Sequence, residues 1–226
     1  MAMPTTVTGV IERLRRIDAS LPSDDGVAVF NRMYLDVTER VDSLLHSAGS
    51  PFSSDETMAD LDVRFAGLWL HAYDAAAAGH RIPAAWQPLF EARNGGNRLP
   101  VQYAVAGMNA HIEHDLPLAV VRTCQSRGLQ PQQLQADYQA ISDVLAECEA
   151  DIRRSFLDEV GRSVDDRVGA VAHLVSAWSI DKARDVSWVT AETIWALREV
   201  DFLLGRFLIG LGDTVGMGSR TLLTPI

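Results

Sequence analysis

Residues 106–121 read AGMNAHIEHDLPLAVV, an apolar stretch that carries five polar side chains between Asn109 and Asp115. Along this stretch and the residues before it, apolar positions recur at intervals of three and four, which is the period of an α-helix with one buried face. Pro100 suits the first turn of such a helix, whereas Pro117 is expected to kink or break it. The buried face is predicted to consist of Val101, Val105, Met108, Ile112, Leu116 and Ala119.

The same helical period runs through almost the whole chain, and the alternating pattern of a β-strand is nearly absent. It predicts a short helix after Pro83 and longer helices over 5–18, 25–47, 54–78, 131–156, 164–177 and 181–210. The Gly-rich tail over 211–226 is expected to be irregular. We therefore predict a single all-α domain over residues 1–226, with about seven to eight packed, mostly antiparallel helices and a helical core over 25–210.

Composition restricts the classes of function. The chain has 226 residues, of which 47% are hydrophobic, and its formal net charge is −10. An acidic chain without a basic cluster is not expected to bind nucleic acid, which requires grouped Lys and Arg. No apolar run approaches the roughly 20 residues that cross a bilayer, and no secretory signal is evident. We expect a cytoplasmic protein with no membrane partner.

The polar residues of the quoted stretch fall on different sides of the helical wheel. At about 100° per residue, His111 and Asp115 lie together on one edge of the buried face. Asn109 and Gln102 lie together on the opposite edge. The remaining two polar residues, Glu113 and His114, are expected to face water.

A histidine and an aspartate four residues apart have three possible uses. The carboxylate can orient the imidazole of His111 and make it a proton-transfer group. The same spacing aims His111 and Asp115 at one point, where they could share Zn or Fe. The pair can also join helices without any chemistry. A metal site needs further ligands, and neither HExxH nor a paired ExxH motif is present.

A second polar stripe follows residues 180–207. One side of this predicted helix is apolar and consists of Val186, Val189, Thr193, Leu197, Val200 and Leu204. The other side mixes charges with aromatic rings and consists of Asp181, Arg184, Trp188, Glu192, Trp195, Glu199, Phe202 and Arg206. Because solvent faces rarely carry aligned tryptophans, three interpretations remain open: a helix buried on both sides, a pocket wall, or the face of a homodimer.

Five stretches occur in an order that resembles an actinobacterial family of uncharacterised function. They are FNRMYLDVT, LDVRFAGLWLHAY, IPAAWQPLF, AVAGMNAHIEHDLPLAVVRTC and WSIDKARDVSWVTAETIWALR. The hallmark of the family is Asn-Ala-His-Ile followed by Asp-Leu-Pro, which stands here at 109–112 and 115–117. The resemblance implies an intracellular helical protein that stands beside specialised-metabolite pathways. It implies no particular activity, substrate or cofactor.

Together, the helical wheel and the resemblance lead us to expect an enzyme that uses cofactor-independent acid/base catalysis on a hydrophobic small molecule. The reaction would be a cyclisation, an isomerisation or a hydrolysis. His111 would transfer the proton and Asp115 would orient it. The substrate would be held by Asn109, Gln102, Arg184, Trp188, Glu192, Trp195 and Tyr34. Two alternatives remain open: a hydrolase or oxygenase with Zn or Fe at His111 and Asp115, and a non-catalytic binding or scaffold protein.

Overall fold

The structure is a computed structural model that describes residues 2–95, 97–142, 145–147, 150, 154 and 178–225. Within these ranges the chain forms α-helices and no β-strand, and the helices pack into a single all-α domain, as the periodicity predicts. The elements are α1 Val7–Ser20, α2 Gly26–Leu45, α3 Asp55–Ala77, α4 Gln87–Ala92, α5 Pro100–Ala110, a π-helical turn His111–Asp115, α6 Leu116–Arg127, α7 Pro131–Ala140, α8 Ile180–Leu197 and α9 Asp201–Leu222.

The first three helices begin at polar residues that cap them. Thr6 Oγ1 accepts a hydrogen bond from the backbone N–H of Gly9 at 3.1 Å. Asp25 and Ser54 accept in the same way from backbone N–H groups in the first turns of α2 and α3. Such caps satisfy backbone donors that have no partner inside the helix. They explain why the bounds predicted from sequence for these helices agree with the structure to within two residues.

One long rod passes through the centre of the domain and consists of α5, the π-helical turn and α6. Its first half packs against α2 and α9, and its second half packs against α3 and α8. Every residue from Val101 to Ala110 is buried. A helix that is apolar on nearly all sides belongs in the middle of a bundle, so the stretch quoted from the sequence organises the fold.

The predicted break at Pro117 takes the form of a local widening of the rod. The backbone N–H of Leu116 donates to the carbonyl oxygen of His111, five residues earlier, which defines the π turn. In a regular α-helix, the ring of Pro117 would clash with the carbonyl group four residues before it. The wider turn accommodates the ring, and the rod continues to Arg127. Such turns are frequent at functional sites.

An aromatic cluster fills the core beside the π turn. The rings of Phe30, Trp69 and Trp86 are buried, with centroids 4.9 Å apart for Phe30–Trp69, 5.1 Å for Phe30–Trp86 and 4.6 Å for Trp69–Trp86. His111 lies at the edge of this cluster, 5.9 Å from the ring of Phe30. The polar groups of the rod are therefore enclosed by large, closely packed rings.

The faces of α8 differ from those expected. The apolar arc points outward, since Val186 is 53% exposed and Val189 is 61% exposed. Only part of the mixed stripe points inward. Arg184 and Trp188 are buried against Tyr138 of α7, whereas the other residues of the stripe are partly or fully exposed. A buried aromatic side chain removes about 150–250 Å² from water. The ring of Trp188 and the aliphatic part of Arg184 therefore occupy the core side of α8. The interpretation that this helix is buried on both sides is therefore wrong, because the side that carries Val186 and Val189 is exposed.

The tail over 211–226 was expected to be irregular, and this prediction is wrong because α9 extends to Leu222. The glycines that suggested irregular structure serve close packing instead. A Cβ atom added at Gly216 would lie 2.6 Å from the carbonyl oxygen of Ala84. Helix propensity alone disfavours glycine, but only glycine permits this approach of α9 to the loop before α4.

Two further predictions concern the same half of the chain. The helix predicted over 181–210 is two helices, because α8 ends at Leu197 and α9 begins at Asp201. The helix predicted over 131–156 is observed as α7, and most of its continuation lies outside the described residues. The helix predicted over 164–177 also lies outside them.

Candidate functional site

His111 occupies a box of aromatic rings. Its imidazole is stacked on the ring of Phe65, with centroids 3.6 Å apart and planes 6° apart. The edge of the Tyr34 ring lies against it at a centroid distance of 4.4 Å. Only 3% of His111 is exposed. Burial lowers the pKa of His111 and outweighs the opposing effect of Asp115, so the imidazole is neutral near pH 7.

Asp115 is the acceptor at the centre of a buried hydrogen-bond network. Its Oδ2 atom accepts from Trp86 Nε1 at 2.9 Å and from His111 Nδ1 at 3.1 Å. Its Oδ1 atom lies 2.7 Å from His114 Nδ1. Burial acts to raise the pKa of Asp115, but the hydrogen bonds from the two histidines outweigh it and hold the pKa below its ordinary value. The carboxylate is therefore ionised and satisfied by three donors.

The network fixes the tautomer of His111. Because an ionised carboxylate only accepts hydrogen bonds, Nδ1 of His111 carries the hydrogen and Nε2 carries a lone pair. Nε2 is buried and has no hydrogen-bond partner among the residues described. The predicted contact between His111 and Asp115 is thus present, and it leaves one basic nitrogen of the interior unused.

His114 was expected to face water, and that prediction is wrong. Only 14% of its side chain is exposed, and its ring is bonded to Asp115. The π turn inserts one extra residue and shifts later positions on the wheel by about 100°. Pro117 was the feature of the sequence that indicated an irregular turn here, so positions on a regular helical wheel do not apply across it.

A small cavity lies on the other side of the Phe65 and Tyr34 rings. Its volume is about 70 Å³, and its walls come from α2, α3, α7, α8 and the rod. Most of the lining is apolar; the polar residues on it are Tyr34, Asp62, Tyr138 and Arg184. His111 does not line the cavity and contacts it only through Tyr34 and Phe65.

Two acidic groups in this cavity have no hydrogen-bond partner among the described residues. They are the hydroxyl group of Tyr34 and Oδ2 of Asp62, and both atoms are buried. Burial, reinforced by the negative charge of Asp42, raises the pKa of Asp62 to about 7. Burial, reinforced by Asp62, raises the pKa of Tyr34 well above its ordinary value. Asp62 can therefore exchange a proton near neutral pH, while Tyr34 remains a neutral donor.

Asp62 was not among the site residues predicted from the sequence. It lies four residues after Met58 and seven before Trp69, and both neighbours are buried. This spacing places the carboxyl group on the edge of the apolar stripe of α3. The signal was available, but a single aspartate at such an edge ordinarily faces solvent.

Replacing Asp62 with asparagine is expected to raise the free energy of unfolding at pH 8 by about 1–2 kcal/mol. A carboxyl group whose pKa is raised in the folded state binds its proton more tightly there than in the unfolded chain. The wild-type protein therefore loses stability as pH rises from about 4 to about 7, the two pKa values, and the loss stays constant above pH 7. Urea unfolding of the wild type and the variant between pH 5 and 8.5 measures this difference in stability. The expected value is about half of what the full pKa shift corresponds to, because Asp62 is partly exposed.

Asp60 of the same helix provides a matched control of opposite sign. Burial acts to raise its pKa, but hydrogen bonds from Arg64 and Arg127 outweigh it and lower the pKa. Asp60→Asn is therefore expected to destabilise the protein at pH 8. If Asp62→Asn also destabilised the protein at pH 8, the carboxyl group of Asp62 would not have the raised pKa described above.

Arg184 brings a cation to the same cavity. Its guanidinium group lies over the ring of Tyr138, 4.1 Å from the centroid, and Nη2 donates to the Tyr138 carbonyl oxygen. The hydroxyl of Tyr138 donates in turn to the Arg184 carbonyl oxygen at 2.9 Å. Burial lowers the pKa of Arg184, although a guanidinium group remains charged in proteins. Of the residues expected to hold a substrate, Arg184 and Tyr34 are brought together on one cavity.

Asn109 and Gln102 are directed away from the cavity and hold the C-terminal helix. Nδ2 of Asn109 donates to the carbonyl oxygen of Val215 and to Oγ of Ser219, both at 3.1 Å. Nε2 of Gln102 donates to two carbonyl oxygens at and just after the end of α9, both at 2.8 Å. The structure therefore does not bring these two residues to the cavity where Tyr34 and Arg184 lie.

The other substrate-binding candidates on α8 lie outside the cavity. Trp188 packs against the ring of Tyr138 at 4.9 Å, on an outer cleft. Glu192 accepts a hydrogen bond from Nε2 of Gln132 at 3.1 Å. Trp195 Nε1 donates to the side chain of the residue that precedes α7, at 3.0 Å. Glu192 and Trp195 join α8 to the start of α7.

In the ranges that the structure describes, no group of three or more His, Cys, Asp or Glu side chains is arranged to hold a metal ion. The alternative of Zn or Fe at His111 and Asp115 stays a prediction. The same ranges contain no helix with both the length and the apolar character needed to cross a membrane.

Comparison with known proteins gives one match. The model of DUF5995, a family of unknown function, matches residues 7–225. The chain belongs to this family. No curated protein and no solved structure matches it. In this DUF5995 protein the matched region contains both the network around Asp115 and the cavity beside Asp62.

Proposed function

We propose that this DUF5995 protein is an enzyme that binds a small, largely apolar molecule in the cavity and transfers a proton on it without a bound cofactor. The observation that carries the proposal is a concentration of buried polar atoms with no hydrogen-bond partner among the described residues: Tyr34 Oη, Asp62 Oδ2 and, behind the wall, His111 Nε2. Each such atom costs about 1–3 kcal/mol, and native proteins leave few of them. A bound molecule with an oxygen atom would satisfy the two that line the cavity.

The chemistry of these groups favours an isomerisation. Asp62, with a pKa of about 7, would take a proton from a carbon that lies between a carbonyl group and a carbon–carbon double bond. It would return the proton to the far carbon of that double bond, and the double bond thereby moves next to the carbonyl group. The hydroxyl of Tyr34 would donate a hydrogen bond to the carbonyl oxygen, on which negative charge develops. No further reactant is needed, because the proton that leaves also returns. Cyclisation and hydrolysis are further reactions of the same acid and base.

His111 and Asp115 receive a different role from the one expected on the wheel. Phe65 and Tyr34 lie between His111 and the cavity. We therefore assign His111 as a positioning residue that fixes the ring of Tyr34, and Asp115 as the group that fixes His111. Tyr34 and Asp62 are the groups that would touch the substrate.

The proposal is tested by isotope exchange, which requires no knowledge of the product. The protein is incubated in D₂O with cyclopentanone, 3-pentanone and 4-oxopentanoate, and loss of the proton next to each carbonyl is followed by NMR. Wild-type protein is expected to accelerate exchange in at least one compound. Asp62→Asn is expected to lower that rate by about 100-fold or more, and Tyr34→Phe by about 100-fold.

The control is Asp60→Asn, an equivalent change two residues earlier on the same helix. Its carboxyl group is bonded to Arg64 and Arg127 on the surface of the bundle, so exchange should continue at the wild-type rate. Undiminished exchange in Asp62→Asn would refute the proposal. It would equally be refuted if a compound bound in the cavity and wild-type protein did not accelerate its exchange.

A non-catalytic role is favoured for one part of the polar stretch. Asn109 and Gln102 direct their amide groups to the backbone and side chains of α9, and this is the helix-joining role considered among the alternatives. The proposed setting is the one that the sequence resemblance implied: the cytoplasm of an actinobacterium, beside specialised-metabolite pathways. A homodimer formed through the mixed stripe of α8 stays a prediction.

A further inference from the structure

Arg184 is a buried cation whose guanidinium group uses few of its hydrogen-bond donors within the described part of the chain. A guanidinium group has five N–H donors, and the bonds found for this one are Nη2 to the Tyr138 carbonyl oxygen and the stacking on the Tyr138 ring. No described Asp or Glu forms an ion pair with it. Asp181 and Asp185 influence it from a greater distance and are exposed. Burying a charge without a counter-ion is costly.

The position of Arg184 connects two spaces. Arg184 and Tyr138 line the internal cavity, and both also line the outer cleft beside Trp188. The cleft is also lined by the carboxylates of Asp181 and Asp185, which partly offset the charge of Arg184. An anionic group that contacts the guanidinium group directly could reach it from this cleft, while the remainder of the same molecule enters the cavity. The anion would not have to be removed from water completely.

Apart from Asp62, which holds its proton below a pKa of about 7, the rest of the cavity wall is uncharged and selects against a second charge on the ligand. Beyond Arg184 the lining is formed mainly by apolar side chains, among them Val37, Met58, Leu61 and Ile112. The volume of about 70 Å³ corresponds to roughly two water molecules in the liquid. The last two to three carbon atoms of an apolar chain would therefore be enough to fill it.

Resting on the proposed function, we infer that the ligand of this site is a short, apolar monocarboxylate whose carboxylate binds Arg184 and whose chain enters the cavity toward Tyr34 and Asp62. Guanidinium and carboxylate form paired, charge-assisted hydrogen bonds. This arrangement supplies a counter-ion in direct contact with the guanidinium group and places the distal carbons of the ligand beside the groups that would transfer the proton.

The inference is tested with three molecules of equal length and different charge: pentanoate, pentanamide and pentylamine. Binding to the wild-type protein is measured by isothermal titration calorimetry at pH 6. Pentanoate is expected to bind at least about 10-fold more tightly than pentanamide, and pentylamine is expected not to bind. Equal binding of pentanoate and pentanamide would overturn the inference without any variant being made.

Variants locate the effect. Arg184→Gln is expected to lower the affinity for pentanoate by at least about 10-fold and to leave that for pentanamide unchanged. The matched control is Arg206→Gln, because Arg206 is exposed and stacks on Phe202; it should bind all three molecules as the wild type does. Unchanged pentanoate binding in a folded Arg184→Gln protein would overturn the inference.

Failure of this inference can be distinguished from failure of the proposed function. Exchange of cyclopentanone and 3-pentanone in D₂O depends on Asp62 and Tyr34 and requires no anion. If that exchange is catalysed while pentanoate shows no preference over pentanamide, the function stands and the carboxylate ligand is wrong. If neutral compounds neither bind nor exchange and pentanoate does not bind, both are wrong.

Discussion

Replacing Asp115 with alanine is expected to lower the free energy of unfolding by about 3–5 kcal/mol, because it leaves two buried donors unpaired at about 1–3 kcal/mol each and opens a small cavity. The change removes the acceptor of three hydrogen bonds at once. Trp86 Nε1 and His111 Nδ1 would be left as buried donors within an aromatic core. His114 would lose its hydrogen-bond partner. Urea unfolding followed by tryptophan fluorescence at pH 7 measures the loss.

Asparagine at the same position should be tolerated better. Its amide group keeps one acceptor oxygen for Trp86 and His111, and its NH₂ group can face His114, whose imidazole can change tautomer and accept. The expected loss is about 1–2 kcal/mol, because only the charge-assisted part of the bonds is removed. We therefore expect Asp115→Ala to lose more stability than Asp115→Asn. This ranking tests the hydrogen bonds of Asp115 and does not depend on the absolute values.

Asp36→Ala is the matched control for Asp115→Ala. Asp36 also lies on a helix and also pairs with a residue four positions away, Arg40, at 2.9 Å, but it is exposed. Exposed pairs of this kind contribute about 0.3–0.5 kcal/mol, so the change should be nearly neutral. A loss below about 1 kcal/mol for Asp115→Ala would show that the network around Asp115 does not hold the rod in place.

The sequence predicted the helices more reliably than their orientation. Helix bounds followed from capping residues such as Thr6 and Ser54, which act locally. The orientation of α8 depends on a contact with α7, because Arg184 and Trp188 pack on the ring of Tyr138. A helical wheel cannot contain that information, and for this reason the apolar valines were assigned to the wrong side.

The candidate site was predictable only in part, for a related reason. The contact between His111 and Asp115 follows from their spacing alone, and the structure contains it. The cavity is formed by side chains from five elements that are distant in sequence. Asp62 acquires its raised pKa from that assembly, and no local pattern distinguishes it from a surface aspartate.

Replacing Gly107 with valine is expected to lower the free energy of unfolding by at least about 3 kcal/mol, at or above the upper end of the usual cost of overfilling a core. A Cβ atom at this position would lie 2.2 Å from Cδ2 of Phe30 and 2.9 Å from its Cβ. Phe30 cannot move aside, because its ring is held between Trp69 and Trp86. Relief would require α5 to separate from α2. Urea unfolding of the variant measures the cost.

Gly67→Val separates this effect from the general consequences of replacing a helical glycine. Gly67 lies within α3, and a Cβ atom there would meet nothing within 4 Å. Because valine favours the helix over glycine by a few tenths of a kcal/mol (about 0.3–0.5), this control should be unchanged or slightly more stable. Gly107→Ala, with one added carbon, should fall between them, at a loss of roughly 1–3 kcal/mol. If Gly107→Val and Gly67→Val were equally stable, α5 and α2 would not be in the contact on which the position of His111 beside Tyr34 depends.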